Sequence, residues 1–199
     1  MKILLATTSP GKLREQREAL ARLDLDIVTL EAFPDVAPPE ETGSSFRENA
    51  AAKALYYNGR TGLAAVGEDA GLVVDALSGE PGVHSARWLG AETSYDVKNA
   101  RLLEMLDGVP REQRTARYVS AVALAIEGAI AFEYEGRCEG LIALEPRGEG
   151  GFGYDPIFEH TESGKTMAEM SPAEKSAVSH RGKAMRALSA HLERLARSH

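Results

Sequence analysis

Short apolar runs alternate with longer amphipathic stretches along this chain, and the two periods predict strands and helices in turn. Ile3-Leu4-Leu5-Ala6 makes Lys2 to Ala6 a first strand, and a helical pattern follows from Leu13 to about Leu23. Ser9 is placed to cap that helix, and Pro10 suits its first position. Leu25 to Leu30 reads as a second strand, after which Pro34, Pro38 and Pro39 hold an extended connection. Ser45 with Glu48 predicts a capping box for a helix from Phe46 to about Asn58, stopped by Gly59. Two apolar runs then flank Gly67-Glu68-Asp69-Ala70-Gly71, which reads as a glycine-framed turn between two strands.

Leu72 to Leu77 continues as a strand, Gly79-Glu80-Pro81-Gly82 is a turn signal, and Val83 to Trp88 is a short extended piece. Leu102, Leu103 and Leu106 make Tyr95 to Leu106 a helix, and Arg87 to about Pro110 reads as a small helical insertion. Arg117 to Ile126 is a strand. From Phe132 to Glu139 the pattern alternates, with Phe132, Tyr134, Gly136 and Cys138 on one face and charges on the other. That is a half-buried antiparallel strand, joined to its predecessor by a hairpin at Glu127-Gly128. Ser171-Pro172-Ala173-Glu174 opens a capped helix, and the last helix carries Met185, Leu188, Leu192 and Leu195 on one core stripe. His191 and His199 read as surface residues. The result is an α/β chain with a mixed sheet, expected to form a single domain over residues 1–199.

Composition narrows the class. Of 199 residues, 43% are hydrophobic and 27% charged, which suits a soluble globular protein with a real core. The net charge of −7 comes without a basic block, so a nucleic-acid binder is not expected. Cys138 is the only cysteine, which excludes an internal disulfide and fits a reducing cytoplasm. The N-terminal apolar run is too short for a signal sequence, and no run reaches membrane-spanning length.

Candidate chemistry gathers in a few places. Glu68 and Asp69 offer adjacent carboxylates, which suit a hard cation such as Mg²⁺ or equally a solvated acidic turn. Thr7-Thr8-Ser9-Pro10-Gly11-Lys12 joins a strand to a helix N-terminus, where free N–H groups and the dipole attract anions. An ordinary capped helix gives the same pattern, and the P-loop spacing is absent. Asn49 and Lys53 lie one turn apart beside the core stripe of their helix, on a cleft or on an exposed polar edge. Four glycines surround Phe152 within Gly148 to Gly153, so the backbone can approach a flat ligand that Phe152 stacks on and Asp155 orients. Lys175, His180, Arg181 and Lys183 form the densest basic cluster, a ligand site or a solvated face.

Taken in order, these segments resemble the inosine triphosphate pyrophosphatase family. The resemblance is carried by Thr7 to Lys12, Glu40-Glu41-Thr42-Gly43, Phe46 with Glu48-Asn49 and Lys53, Glu68-Asp69-Ala70-Gly71-Leu72, Phe152-Gly153-Tyr154-Asp155-Pro156 and Ser179-His180-Arg181. It implies an elongated, curved mixed β-sheet with flanking helices and two lobes around a central active-site cleft. It also implies a homodimer, Mg²⁺ dependence, and hydrolysis of ITP, dITP and XTP to the monophosphate and pyrophosphate. By position, Asp69 matches the catalytic, metal-associated carboxylate and Glu41 the metal-binding glutamate. Thr7, Thr8, Ser9, Pro10, Gly11 and Lys12 match the triphosphate loop, with Lys53 and Ala70 also on the substrate. Phe152, Gly153, Tyr154, Asp155, Lys175, His180 and Arg181 match the substrate- and base-binding positions.

The chain departs from that family at two places. Ser9 stands where Asn is common, keeping a hydroxyl and a cap but no amide donor. Glu68-Asp69-Ala70-Gly71 replaces Asp-Asp-Ser-Gly, so residue 70 offers only its backbone N–H. Ser9-Pro10 is also similar to the Maf-type nucleotide pyrophosphatases, whose two following arginines are replaced here by Gly11-Lys12. A nucleotide-binding sensor without catalysis, or a structural interaction module, would use some of the same residues.

Overall fold

The computed structural model describes residues 1–197. Within them, six strands form one mixed sheet in the order β2-β1-β3-β4-β5-β6. In chain order the elements are β1 (Lys2–Ala6), α1 (Pro10–Leu20), β2 (Asp26–Thr29), α2 (Phe46–Thr61), β3 (Ala64–Val74) and α3 (Tyr95–Met105). Then come β4 (Thr115–Ile126), β5 (Ala129–Ile142), β6 (Phe158–His160), α4 (Pro172–Val178) and α5 (His180–Arg197). β1 runs parallel to both β2 and β3, whereas β5 and β6 are antiparallel, so the mixed α/β class is as expected.

The chain divides into two compact units. One comprises Met1–Asp69, Ser120–Gly136 and the chain from Arg181 onward; the other comprises Ala70–Val119 and Arg137–His180. In the first unit, β1 is apolar from Ile3 to Ala6, where both its faces are covered, while Lys2 at its start is exposed. Ile3 and Leu5 join Leu20 of α1 and Met185, Leu188 and Leu192 of α5, while Leu4 and Ala6 join Tyr57 of α2. The second unit has its own core, in which Leu102 and Leu106 from the α3 region meet Tyr118, Phe158, Met167 and Met170. The segment read as a helical insertion thus supplies part of that core.

Several boundaries differ from the sequence reading, each for a physical reason. The residues around Glu68-Asp69 are no turn: β3 is one continuous strand. α2 runs through Gly59 and ends at Gly62, whose φ of 69° provides the left-handed C-cap. At its start Ser45 accepts from Glu48 N–H, but the Glu48 carboxylate takes the Ser44 N–H and hydroxyl, so the box is half made. α1 begins at Pro10, and Ser9 caps it as expected. Residues 82–88 are a short 3₁₀ turn and loop rather than extended chain. In β5 the alternation holds from Gly136 onward, but Tyr134 is exposed. Glu127 and Gly128 both have positive φ, 50° and 81°, as a tight hairpin turn requires. His191 is half-buried against the Phe132 ring, with centroids 4.8 Å apart, rather than at the surface. His199 lies outside the described residues.

Candidate active site

Gly67 sets the geometry of the first constellation. A Cβ there would lie 2.3 Å from the Ala50 carbonyl oxygen and 2.6 Å from Ala54 N, so only glycine lets α2 press onto β3. That approach aims Asn49 and Lys53 at strand residues 68 and 69. Asn49 Nδ2 donates to Asp69 Oδ2 at 2.9 Å, and Lys53 Nζ donates to the Glu68 carbonyl at 3.0 Å. Lys53 is also ion-paired with Glu41. Asn49 is buried and Lys53 half-buried, so this pair is not an exposed edge.

Asp69 is only 5% exposed. Burial pushes its carboxyl above the usual aspartate range; the Asn49 bond, Lys12 and Lys53 oppose that, and the Glu41 carboxylate adds to it. The Glu41 carboxylate is thus near enough to disfavour the charge on Asp69. Among the described residues no three His, Cys, Asp or Glu side chains converge into a protein-only metal cage. Mg²⁺ does not need one, since it is typically held by one or two carboxylates with waters and phosphate oxygens. Two neighbouring carboxylates fit that requirement.

Glu68 points to the other face of β3, because side chains alternate along a strand. Its carboxylate accepts from Arg181 Nε at 2.7 Å, the Ser120 hydroxyl at 3.0 Å and Gln16 Nε2 at 2.5 Å. Burial alone would raise its pKa, but Arg181 and Lys12, with the Arg181 and Ser120 hydrogen bonds, hold it down to about 2. Arg181 is itself buried and donates from Nη1 to Glu15 at 2.6 Å. From the resemblance Arg181 reads as a base-binding residue; here its Nε and Nη1 are directed at two carboxylates. Lys12, half-buried in α1, is pushed below the usual lysine range by burial, with Glu68 opposing and Arg181 and Lys53 adding. Its ammonium therefore feels Glu68, Arg181, Lys53 and Asp69 together.

The loop before α1 is internally bonded. Thr7 Oγ1 accepts from Ser9 N–H at 3.2 Å, and Ser9 Oγ accepts from Lys12 N–H at 3.5 Å. Thr8 and Pro10 are exposed, Gly11 is half-buried, and Ala70 follows Asp69 along β3. Lys12→Ala is expected to weaken binding of inorganic triphosphate, because it removes a cation from beside the α1 N-terminus. Calorimetric titration with inorganic triphosphate checks this.

The second unit holds another constellation. Lys175 Nζ donates to Asp155 Oδ2 at 2.6 Å and lies 4.7 Å from the centroid of the Phe152 ring, a cation–π arrangement. The same carboxylate accepts from Phe152 N–H at 2.7 Å and, on its other oxygen, from the Tyr118 hydroxyl at 3.3 Å. Tyr118 stacks on His180, with centroids 4.5 Å apart and planes at 15°. Phe152 is half-buried, while Lys175 and His180 are buried rather than on a solvated face; Lys183 is exposed. The Tyr154 side chain turns into the core, donating to the Ser85 carbonyl at 2.9 Å. Gly153 has φ 73° and receives Asn99 Nδ2 on its carbonyl at 3.1 Å.

Sequence reasoning left out Tyr118, Gln16, Ser120 and Glu15, and named Asn49 without giving it a role. Only Gln16 left a signal, as a polar residue one turn after Lys12. Tyr118 and Ser120 read as ordinary members of a buried strand.

Fold and side chains together define an α/β protein with a buried centre of carboxylates and lysines at β3. The model of the Ham1 family matches residues 3–191. The chain is 50% identical over 194 residues to the dITP/XTP pyrophosphatase of Geobacillus kaustophilus, covering 97% of this chain and 95% of that protein. It is also 50% identical over 188 residues to the dITP/XTP pyrophosphatase of Thermus thermophilus, covering 94% and 90%. A solved HAM1 protein from Coxiella burnetii superposes with a TM-score of 0.87 at 38% identity, covering 98% of this chain and 99% of that one. The chain belongs to the Ham1 family, which bears out the resemblance carried by its motifs.

Proposed function

We propose that this chain hydrolyses the non-canonical purine nucleoside triphosphates ITP, dITP and XTP to the monophosphate and pyrophosphate, removing them from the nucleotide pool. One observation carries the reading. Asp69, its carboxyl shifted upward by burial, stands with Glu41 and Lys53 in a chain that matches dITP/XTP pyrophosphatases over nearly its whole length. An upward-shifted carboxylate accepts a proton more readily near neutral pH. Asp69 takes the proton of a water that attacks the α-phosphorus, and the bond from that phosphorus to the bridging oxygen breaks, releasing pyrophosphate. Glu41 and Asp69 would hold Mg²⁺, which when bound neutralises phosphate charge and orients the water. Lys12 and Lys53 bind the phosphates of a substrate that an acidic chain would otherwise repel.

Phe152 supplies a stacking face for the purine. His180 and nearby N–H groups donate to the 6-oxo acceptor of hypoxanthine and xanthine, whereas the 6-amino group of adenine would meet donor with donor. Leaving such groups unpaired discriminates by about 10⁴–10⁵. The reading includes a homodimer acting in the cytoplasm, and sedimentation checks the first of these.

The test is a panel of ITP, dITP, XTP, GTP and ATP incubated with Mg²⁺, with the products identified. The expected result is pyrophosphate and monophosphate from the first three, at kcat/KM about 10⁴ above ATP. Comparable values for ATP and ITP, or release of single phosphates, overturn the proposal. A pure nucleotide sensor would bind ITP and form no product. Glu41→Gln is expected to raise the Mg²⁺ concentration for half-maximal activity about tenfold or more. A metal titration matching the unmodified enzyme removes Glu41 from the ligand set.

A further inference from the structure

The loop that carries Glu41 has no regular secondary structure; residues 37–43 belong to no helix or strand. Side-chain bonds from α2 hold it: Tyr56 donates to the Ala37 carbonyl at 2.8 Å, and two further residues link the loop to β3. Lys53 reaches both segments, pairing with the Glu41 carboxylate and donating to the Glu68 carbonyl. Asn49, one turn earlier, also reaches both. Its Oδ1 accepts from Gly43 N–H at 2.8 Å while its Nδ2 donates to Asp69 Oδ2 at 2.9 Å. A backbone N–H can only donate and an ionised carboxylate can only accept, so both neighbours fix the same orientation of the amide. Gly43 is shaped for the contact, since a Cβ there would lie 2.6 Å from Asn49 Oδ1 and 2.9 Å from Glu48 Cβ.

We infer that Asn49 is a positioning residue that fixes the Glu41 loop against Asp69 and so sets the separation of the two carboxylates. The inference rests on the reading of Glu41 and Asp69 as the cation-binding pair. Asn49 is 2% exposed, with its amide bonded at both ends, so it acts through Asp69 and Gly43 rather than on substrate. Losing it unties Gly43 from β3, leaving Lys53 and Tyr56 to hold the loop, and leaves an oxygen of Asp69 without its donor. Partners standing behind metal-binding carboxylates carry about 10–100-fold of affinity or activity.

The experiment compares the unmodified protein with Asn49→Ala, Gly43→Ala and Asp69→Asn. Mn²⁺ binding is read by electron paramagnetic resonance without nucleotide, ITP kinetics are measured with Mg²⁺, and stability is read by urea unfolding. Asn49→Ala and Gly43→Ala are each expected to weaken Mn²⁺ binding and lower kcat by about 10–100-fold. KM for ITP should stay within about threefold, since ground-state contacts are untouched. A purely structural asparagine would move the unfolding midpoint and leave Mn²⁺ affinity and kcat of the folded protein unchanged, which overturns the inference. If Asn49→Ala does not fold, Gly43→Ala breaks the same bond from the loop side and decides alone. Asp69→Asn separates the two possible failures. Undiminished Mn²⁺ affinity and turnover there overturn the site reading itself. Unmodified behaviour of the Asn49 and Gly43 variants beside a crippled Asp69→Asn overturns only the inference.

Discussion

Asp69→Asn is expected to fold with an unfolding midpoint equal to or above that of the unmodified protein, and to lose about 10³-fold or more in ITP turnover. The two halves of that expectation have one cause. Asp69 is a charge held at 5% exposure, and burial has already pushed its carboxyl upward. An amide of the same shape removes that buried charge, and its oxygen still accepts from Asn49 Nδ2. Stability is therefore kept or gained, as often happens when a strained active-site group is neutralised. The amide supplies neither a proton acceptor nor a negative charge for a cation, so the proposed chemistry fails at two points. Product formation and urea unfolding on the same sample check both halves. Turnover within tenfold of the unmodified enzyme sinks the assignment of Asp69 as base.

The strands and helices were largely legible because their hydrophobic periods are clean. β1 showed itself as an unbroken apolar run, and α5 through the stripe of Met185, Leu188 and Leu192. The segment that matters most was misread in conformation. Two glycines beside two carboxylates look like a turn when only local preference is weighed. Gly67 instead serves a contact distant in sequence, the packing of α2, and no local pattern announces that. The same blindness hid Asn49. A polar residue beside a core stripe looks solvated unless one knows that a strand carboxylate and a loop N–H lie at its two ends. The reading of Asp69 as the reacting carboxylate comes only from an ordered set of motifs. The partners of Glu68 were not recoverable at all, because Gln16, Ser120 and Arg181 come from three separate stretches of chain.

That buried network carries the second large expectation. Arg181→Ala is expected to cost about 3–5 kcal/mol of folding stability at neutral pH, because it leaves Glu68 charged and buried without its principal counter-ion. The loss should shrink as the pH is lowered. In the unmodified protein, Arg181 and its neighbours hold Glu68 at about 2, against an ordinary value of 4.5. A depressed pKa means that the stability contributed by Glu68 is complete above pH 4.5 and is lost as pH falls towards 2. Without Arg181, burial dominates and the carboxyl protonates at a higher pH than in the unmodified protein. The variant is then relieved of its unpaired charge while the unmodified protein still keeps most of its pairing. The gap between the two narrows from pH 7 towards pH 4. Glu68→Gln added to Arg181→Ala should recover part of the loss at pH 7, since the remaining buried group is neutral and keeps hydrogen-bonding capacity for Ser120 and Gln16. Urea unfolding of both single variants and the double variant across this pH range measures each quantity. A loss that is constant with pH and additive between the two sites would reduce Arg181 to packing, and the ion pair with Glu68 would then hold nothing that a neutral side chain could not.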